Sequence, residues 1–192
     1  MEQKIGSSTK YEKKIITIPN LLSFFRICLI PAIVWLYVVE YDYVWAGYVL
    51  ILSGITDIVD GFIARHFHMV SNLGKILDPI ADKLTQGVML LCLVLRFPRM
   101  IVPFILLIVK EIYMSVSGIL IIQRTGIVCS ADWHGKAATC FLYGMMVLHM
   151  FWHEITPTIS TAFIIACSLM IGVSFVLYGI RNVKLLKNSM QK

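Results

Sequence analysis

The sequence consists of six long apolar runs that are separated by short polar connections. A helix needs about 20 mostly apolar residues to cross a bilayer. The runs that reach or approach this length lie near residues 21–40, 44–65, 75–96, 100–122, 135–152 and 157–179. Such short links join antiparallel neighbours. The pattern therefore predicts an all-α integral membrane protein with six transmembrane helices.

The composition agrees with this pattern, because 58% of the 192 residues are hydrophobic. Six spans leave no room for a second, soluble domain, so we expect a single membrane domain over residues 1–192. Residues 1–17 are polar and rich in lysine, and no small-residue cleavage site follows the first apolar run. We expect this stretch to be a cytoplasmic lead-in at the membrane surface.

The basic residues predict both the partners and the orientation. The net charge is +6, but lysine and arginine collect in the two tails and beside the apolar runs. This distribution favours membrane lipids and phosphate ligands over nucleic acid. Residues 1–20 and 180–192 hold four basic residues each, whereas the opposite side has only Arg96 and Arg99. By the positive-inside rule, both termini are expected in the cytoplasm.

Four acidic residues interrupt the apolar pattern between positions 57 and 82. A charge at bilayer depth costs about 2.5 to 3.5 kcal/mol, so a cluster of carboxylates needs compensating positive charge. The nearby cations Arg65, Lys75 and Lys83 are too few and too scattered to supply it. We therefore expect a divalent metal, and oxygen ligands suit Mg²⁺, Mn²⁺ or Ca²⁺. The four residues are Asp57, Asp60, Asp78 and Asp82.

Spacing places each pair of aspartates on one helix face, since they are i, i+3 and i, i+4 neighbours. If the two helices are antiparallel and joined by a turn at 66–72, the two acidic faces can meet. Gly61, Ala64 and Gly74 lie on or beside these faces. Small side chains there let a bulky ligand, such as a nucleotide, approach the backbone.

The same stretch resembles the signature of the CDP-alcohol phosphotransferases, D-x2-D-G-x2-A-R-x8-G-x3-D-x3-D. All eight fixed positions match without a gap. Residues 18–23 (IPNLLS) with Arg26, and residues 77–83 (LDPIADK), are similar to the bacterial phosphatidylglycerophosphate synthases and their cardiolipin synthase relatives. The resemblance weakens beyond about residue 125. The matching signature positions are Asp57, Asp60, Gly61, Ala64, Arg65, Gly74, Asp78 and Asp82.

The resemblance implies a membrane enzyme that transfers the phosphatidyl group of CDP-diacylglycerol to an alcohol, with its site facing the cytoplasm. Two ions, Mg²⁺ or Mn²⁺, are expected on the four aspartates, and Asp82 is the implied general base. Family members are dimeric, so a homodimer is expected. The positions that match the family's CDP-lipid contacts are Asn20, Ser23, Gly61, Ala64, Arg65, Ser71 and Gly74.

The acceptor is the least determined part of the prediction. Lys110, Lys136 and Arg181 are candidate contacts for an anionic acceptor, and glycerol 3-phosphate is the leading one. This chain carries Lys110-Glu111 where the synthases have an Arg-Glu pair, and a buried ion pair that holds helices together is the alternative role of Lys110. Phosphatidylglycerol, inositol phosphate and serine stay open as acceptors. A cation transporter or an inactive membrane scaffold are the alternatives of other classes.

Overall fold

Six α-helices follow one another in the computed structural model, which describes residues 18–66, 74–125, 132–152 and 154–190. They are α1 (Ile18–Val34), α2 (Tyr43–His66), α3 (Gly74–Arg96), α4 (Ile101–Thr125), α5 (Trp133–Phe151) and α6 (Pro157–Met190). A π-helical segment (Trp35–Val39) extends α1, and a short 3-10 helix (Pro98–Met100) precedes α4. The helices coincide with the six apolar runs, although α6 continues well beyond the predicted residue 179. The predicted lead-in, residues 1–17, lies outside the described residues.

The turn between α1 and α2 is tight. Tyr41 adopts a left-handed backbone conformation, with φ at 57°. Asp42 then begins the second helix, because its carboxylate accepts a hydrogen bond from the Trp45 backbone N–H at 3.1 Å. The reversal places α2 directly beside α1.

Within the part of the chain that the structure describes, four helical segments are long and apolar enough to cross a membrane: Ile18–Val39, Tyr43–Ile63, Pro98–Arg124 and Pro157–Lys187. Large apolar side chains on their surfaces are exposed, among them Ile58, Ile112 and Leu169, as expected for a lipid-facing surface. The protein is thus an integral membrane protein, but the count of six spans is not confirmed. Helices α3 and α5 are not apolar enough to be counted as membrane-spanning, because they carry polar and charged side chains, including Asp78, Asp82 and Lys136.

Helices α3 and α5 contribute much of the interior. Leu90, Leu93, Leu142 and Met146 are almost completely buried in one apolar core with residues of α1, α2 and α6. Helix α1 packs against both α2 and α3, and this arrangement positions the acidic residues.

Candidate active site

The aspartates of α2 pair with an arginine from α1. The Arg26 side chain is completely buried, and its two terminal nitrogens lie 2.5 Å from Asp57 Oδ1 and 2.5 Å from Asp60 Oδ2. The Asp60 side chain is also buried, whereas that of Asp57 is 44% exposed. Only Arg65, Lys75 and Lys83 were considered from the sequence as compensating cations, whereas Arg26 is the one that pairs with these two carboxylates. Arg26 was not considered because the packing of α1 on α2 joins residues that are far apart in sequence.

Helix α1 also reaches the first aspartate of α3. The Ser23 hydroxyl donates a hydrogen bond to the Asp78 carboxylate, and Asn20 is buried one turn earlier on the same face. Helix α1 therefore contacts aspartates of both α2 and α3.

Asp82 is held on both of its oxygens. The Tyr143 hydroxyl from α5 donates to Oδ1 at 3.0 Å, and the Gln86 amide donates to Oδ2 at 2.8 Å. The Lys83 ammonium lies 3.8 Å from the same Oδ2. The carboxylate is consequently fixed in orientation, and its side chain remains 20% exposed. A fixed, partly open carboxylate is a suitable acceptor for a proton from a bound hydroxyl.

A basic cavity of about 480 Å³ lies between α3, α4, α5 and α6, and Lys83, the residue after Asp82, lines it. Glu111 lies within it and contacts Lys83 at 3.1 Å and Lys110 at 3.2 Å. Three lysines and one glutamate leave a formal charge of +2, which suits an anionic molecule. We call this space the lysine cavity; its lining residues are Lys83, Lys110, Glu111, Met114, Gly135, Lys136, Thr139, Cys140 and Tyr178.

The predicted acceptor contacts divide into two groups. Lys110 and Lys136 both line the lysine cavity. Arg181 does not; its guanidinium donates to Asp132 at 2.6 Å and lies 4.8 Å from the centroid of the Tyr178 ring. Tyr178 separates this ion pair from the cavity that it lines.

The structure describes only some of the remaining residues that were predicted to contact the CDP-lipid. Gly61 lies in α2 directly after Asp60, and Gly74 is buried at the first position of α3. The side chains of Ala64 and Arg65, and the whole of Ser71, lie outside the described residues.

The donor set of the site has the chemistry of a hard-cation site, because four carboxylates supply only oxygen ligands. Yet among the described residues no three His, Cys, Asp or Glu side chains lie close enough together to hold one ion. Arg26 and Ser23 contact three of the four carboxylates in this conformation. An ion would therefore have to replace or rearrange contacts that α1 now makes.

Comparison with known proteins identifies the family. The model of the CDP-alcohol phosphatidyltransferase family matches residues 16–176. The chain belongs to this family. Membership confirms the resemblance and the enzyme class predicted from the sequence, and it sets aside the cation transporter.

Three relatives show how the similarity is distributed. CDP-diacylglycerol–glycerol-3-phosphate 3-phosphatidyltransferase of Aquifex aeolicus is 29% identical over 175 residues, which is 88% of this chain and 97% of that protein. The protein of the same name from Rickettsia bellii is 34% identical over 100 residues, 51% of this chain and 55% of that protein. A cardiolipin synthase (CMP-forming) / mitochondrial hydrolase fusion protein of Schizosaccharomyces pombe is 45% identical over 85 residues, 44% of this chain. The matched segment is only 14% of the fusion protein.

Four side chains of this candidate site were missed in the sequence analysis. Arg26 was used only as one of the residues that carry the family resemblance. Its place on the same face of α1 as Asn20 and Ser23 could have identified it as a site residue. Lys83 was considered only as a scattered cation. Gln86 follows Asp82 by one helical turn and could have been found on that spacing. No comparable signal marks Tyr143, because a tyrosine in an apolar helix resembles ordinary core packing.

Proposed function

We propose that the protein transfers the phosphatidyl group of CDP-diacylglycerol to glycerol 3-phosphate, giving phosphatidylglycerophosphate and CMP. The observation that carries this proposal is the position of Lys83, which lines the lysine cavity and lies 3.8 Å from the Asp82 carboxylate that Tyr143 and Gln86 hold. A cation thus connects a proton acceptor to a cavity that suits an anionic alcohol. The Aquifex aeolicus relative named for this reaction is similar along nearly its whole length, which supports the choice of acceptor.

Asp82 is the proposed general base. Its carboxylate takes the proton of the acceptor hydroxyl while that oxygen attacks the β-phosphorus of CDP-diacylglycerol. A new phosphorus–oxygen bond forms to the acceptor, and the bond between this phosphorus and the oxygen of CMP breaks. Tyr143 and Gln86 keep the carboxylate aimed at the hydroxyl, so less orientation has to be gained in the transition state.

The lysine cavity is the proposed acceptor site. Lys110 is almost completely buried, so its ammonium interacts with a phosphate in surroundings that screen charge less than water does. Lys83 connects the two parts of the site, because it contacts both Glu111 and Asp82. Lys136 completes the basic wall. Arg181 stays a proposed acceptor contact, and reaching the cavity would require it to leave Asp132.

Two ions, Mg²⁺ or Mn²⁺, are proposed on Asp57, Asp60, Asp78 and Asp82. When bound, such ions would reduce the negative charge of the pyrophosphate and stabilise CMP as it leaves. The CDP-lipid is proposed to lie along the same end of α1, α2 and α3, where Ser23 contacts Asp78; Asn20 and Gly61 are proposed as further contacts. Ala64, Arg65, Ser71 and Gly74 are proposed as further contacts on the strength of the family signature.

We further propose six spans, with this end of the bundle facing the cytoplasm. Arg124, Lys136, Arg181 and Lys184 all belong to the helix ends on the side of the aspartates, which agrees with the positive-inside rule. The cell membrane as location and a homodimer as assembly are proposed from family membership.

One observation favours phosphatidylglycerol as an alternative acceptor. An apolar groove of about 600 Å³ runs between α5 and α6 and shares Cys140 with the lysine cavity. Phe141, Met145 and Phe163 are among its walls. A lipid acceptor could place its head group among the lysines and an acyl chain in this groove, as a cardiolipin synthase requires.

The decisive experiment measures CMP release by the purified protein with CDP-diacylglycerol and Mg²⁺. Glycerol 3-phosphate, phosphatidylglycerol, inositol phosphate and serine are supplied in separate reactions, and the Asp82→Asn variant gives the background rate. Release that depends on glycerol 3-phosphate supports the proposal, whereas release with phosphatidylglycerol alone supports the cardiolipin synthase. Release no greater than that of Asp82→Asn with every acceptor contradicts both and favours an inactive scaffold.

A further inference from the structure

A second polar cavity lies at the end of the bundle opposite to the aspartates. It encloses about 300 Å³ between the end of α3, the 3-10 helix and the beginning of α6. Asp82 and Arg96 are both in α3, and their separation of 14 positions corresponds to about 21 Å along the helix axis. No acidic residue is among the described residues that line the cavity; they are Arg96, Phe97, Pro98, Arg99, Ile155, Pro157, Ser160, Thr161 and Ile164. We call it the arginine cavity.

Protein contacts orient both guanidinium groups of the arginine cavity. Arg99 donates a hydrogen bond to the Thr161 hydroxyl, and the Arg96 guanidinium lies 4.5 Å from the centroid of the Tyr43 ring. Two guanidinium groups at one cavity suit a phosphate, which they bind through paired hydrogen bonds.

The first turn of α6 adds to this positive potential. Pro157, Ser160 and Thr161 from this turn line the cavity, and the turn contains no acidic residue. The first N–H groups of a helix lack acceptors within the helix, and the helix dipole makes this end positive.

An aromatic space of similar volume shares Arg96 with the arginine cavity. It encloses about 310 Å³ on the other side of Arg96 and is lined by Tyr37, Tyr41 and Tyr43. The Tyr37 side chain is only 3% exposed, and its hydroxyl has no hydrogen-bond partner within the part of the chain that the structure describes. Burial of an unpaired hydroxyl is unfavourable, so this space suits a polar group that would pair with it.

The predicted orientation in the membrane makes the position of these two arginines unusual. Arg96 and Arg99 lie at the end where the positive-inside rule disfavours basic residues. Both nevertheless line one cavity, and both lie far from the aspartates of the catalytic end. A bound anionic ligand offsets the unfavourable placement of two positive charges at this end of the bundle.

We propose that the arginine cavity binds the phosphate of an anionic phospholipid from the leaflet opposite to the active site. The phosphate lies between Arg96 and Arg99, and the polar remainder of the head group reaches toward Tyr37. Phe97, Ile155 and Ile164 give the cavity apolar walls, so an amphiphile fits it better than a free ion. The bound lipid joins α3 to α6, independently of the acceptor used at the catalytic end.

The test is a titration of the delipidated full-length protein in a neutral detergent, followed by native mass spectrometry. Dioleoyl phosphatidic acid is the anionic probe, and dioleoyl phosphatidylcholine and inorganic phosphate are the comparisons. We expect wild-type protein to retain one more phosphatidic acid than Arg99→Gln, whose affinity at this site falls about tenfold. Arg124→Gln is the matched control, because it removes the same charge from an exposed position at the other end of the bundle.

Three results would overturn the proposal. The first is equal binding of phosphatidic acid by wild-type protein and Arg99→Gln. The second is an equal loss in Arg124→Gln, which would indicate attraction by overall charge. The third is inorganic phosphate binding as tightly as the lipid, which would assign the cavity to a free anion. If Arg99→Gln is not monodisperse by gel filtration, Arg96→Gln tests the other guanidinium with the same expected loss.

Discussion

Tyr143 on α5 donates a hydrogen bond to Asp82 on α3 across 3.0 Å, and it thereby connects the proposed base to a helix outside the family signature. Gln86 holds the other oxygen of the same carboxylate. Asp82 therefore acts as a member of a small network rather than as an isolated side chain. The network fixes the carboxylate before either substrate binds, which is the condition for efficient proton transfer.

Replacement of Tyr143 by Phe should slow transfer without weakening the binding of the CDP-lipid. A hydrogen bond to a charged group contributes about 1.5 to 3 kcal/mol, so kcat should fall about 10- to 150-fold. The KM for CDP-diacylglycerol should stay close to that of the wild type, because the ring still fills the space between α3 and α5. Steady-state rates of CMP release at varied CDP-diacylglycerol measure both constants.

Tyr113→Phe is the matched control for this prediction, since Tyr113 lies on α4, where it packs edge-to-face on Phe175. Its kcat should equal that of the wild type. If Tyr143→Phe also retains full kcat, the hydroxyl does not position Asp82. If it raises only the KM for the CDP-lipid, Tyr143 belongs to the lipid site.

Replacement of Arg26 by Met should destabilise the protein strongly. The change leaves Asp57 and Asp60 without their buried counter-ion, and loss of one partner from a buried pair costs about 3 to 5 kcal/mol. Because the Asp57 side chain is 44% exposed, we expect about 3 kcal/mol, which lowers the midpoint of thermal unfolding by about 6 to 12 °C. Thermal unfolding of the purified protein in detergent with EDTA measures the shift.

Added Mg²⁺ provides a second readout of the same variant. If a divalent ion binds the aspartates, it should restore part of the stability that Arg26→Met loses, because it supplies the missing positive charge. Arg124→Met, which removes an exposed arginine at the end of α4, should unfold at the wild-type temperature with or without Mg²⁺. An Arg26→Met protein as stable as the wild type in EDTA would show that the buried pair does not stabilise the fold.

The positions of the helices and of the aspartates were predictable, because both depend on local sequence. Apolar runs of helical length specify where each helix lies, and the spacing of Asp57 with Asp60 and of Asp78 with Asp82 places each pair on one face. The number of membrane-spanning helices was less predictable. Helices α3 and α5 carry polar and charged residues, including Asp78, Asp82 and Lys136, which lower their hydropathy without interrupting the helix.

Partners that lie far apart in sequence were not predictable. Arg26 meets Asp60 across 34 positions, and Tyr143 meets Asp82 across 61; both contacts depend on which helices pack together. Arg181 illustrates the opposite case. Its place near the end of α6 that is predicted to face the cytoplasm favoured a phosphate contact, and the packing of α6 pairs it with Asp132, across 49 positions. The charge pattern of the sequence indicates at which end of the bundle a charged residue lies. The tertiary packing determines which side chain it contacts.

Replacement of Lys110 by Met should weaken binding of the acceptor more than binding of the CDP-lipid. Lys110 lines the lysine cavity and contacts Glu111 at 3.2 Å, whereas the four aspartates are not part of that lining. We expect the KM for glycerol 3-phosphate to rise about tenfold or more, while that for CDP-diacylglycerol changes less than about twofold. Lys187→Met, an exposed change near the end of α6, is the control. Equal increases in both KM values would favour a role for Lys110 in holding helices together.

Replacement of Gly47 by Ala should destabilise the bundle through a single added methyl group. A Cβ atom at this position would lie 2.8 Å from the Phe151 ring and 3.3 Å from Met150, so α2 and α5 would have to separate or the ring would have to turn. Overpacking of this kind costs about 1 to 3 kcal/mol. At Gly54, two turns later in α2, an added Cβ atom would meet no described atom within 4 Å, so Gly54→Ala should be neutral or stabilising by up to about 1 kcal/mol. Thermal unfolding of the two variants side by side separates packing from helix propensity, and an equal shift in both would mean that the α2–α5 contact is looser than the structure shows.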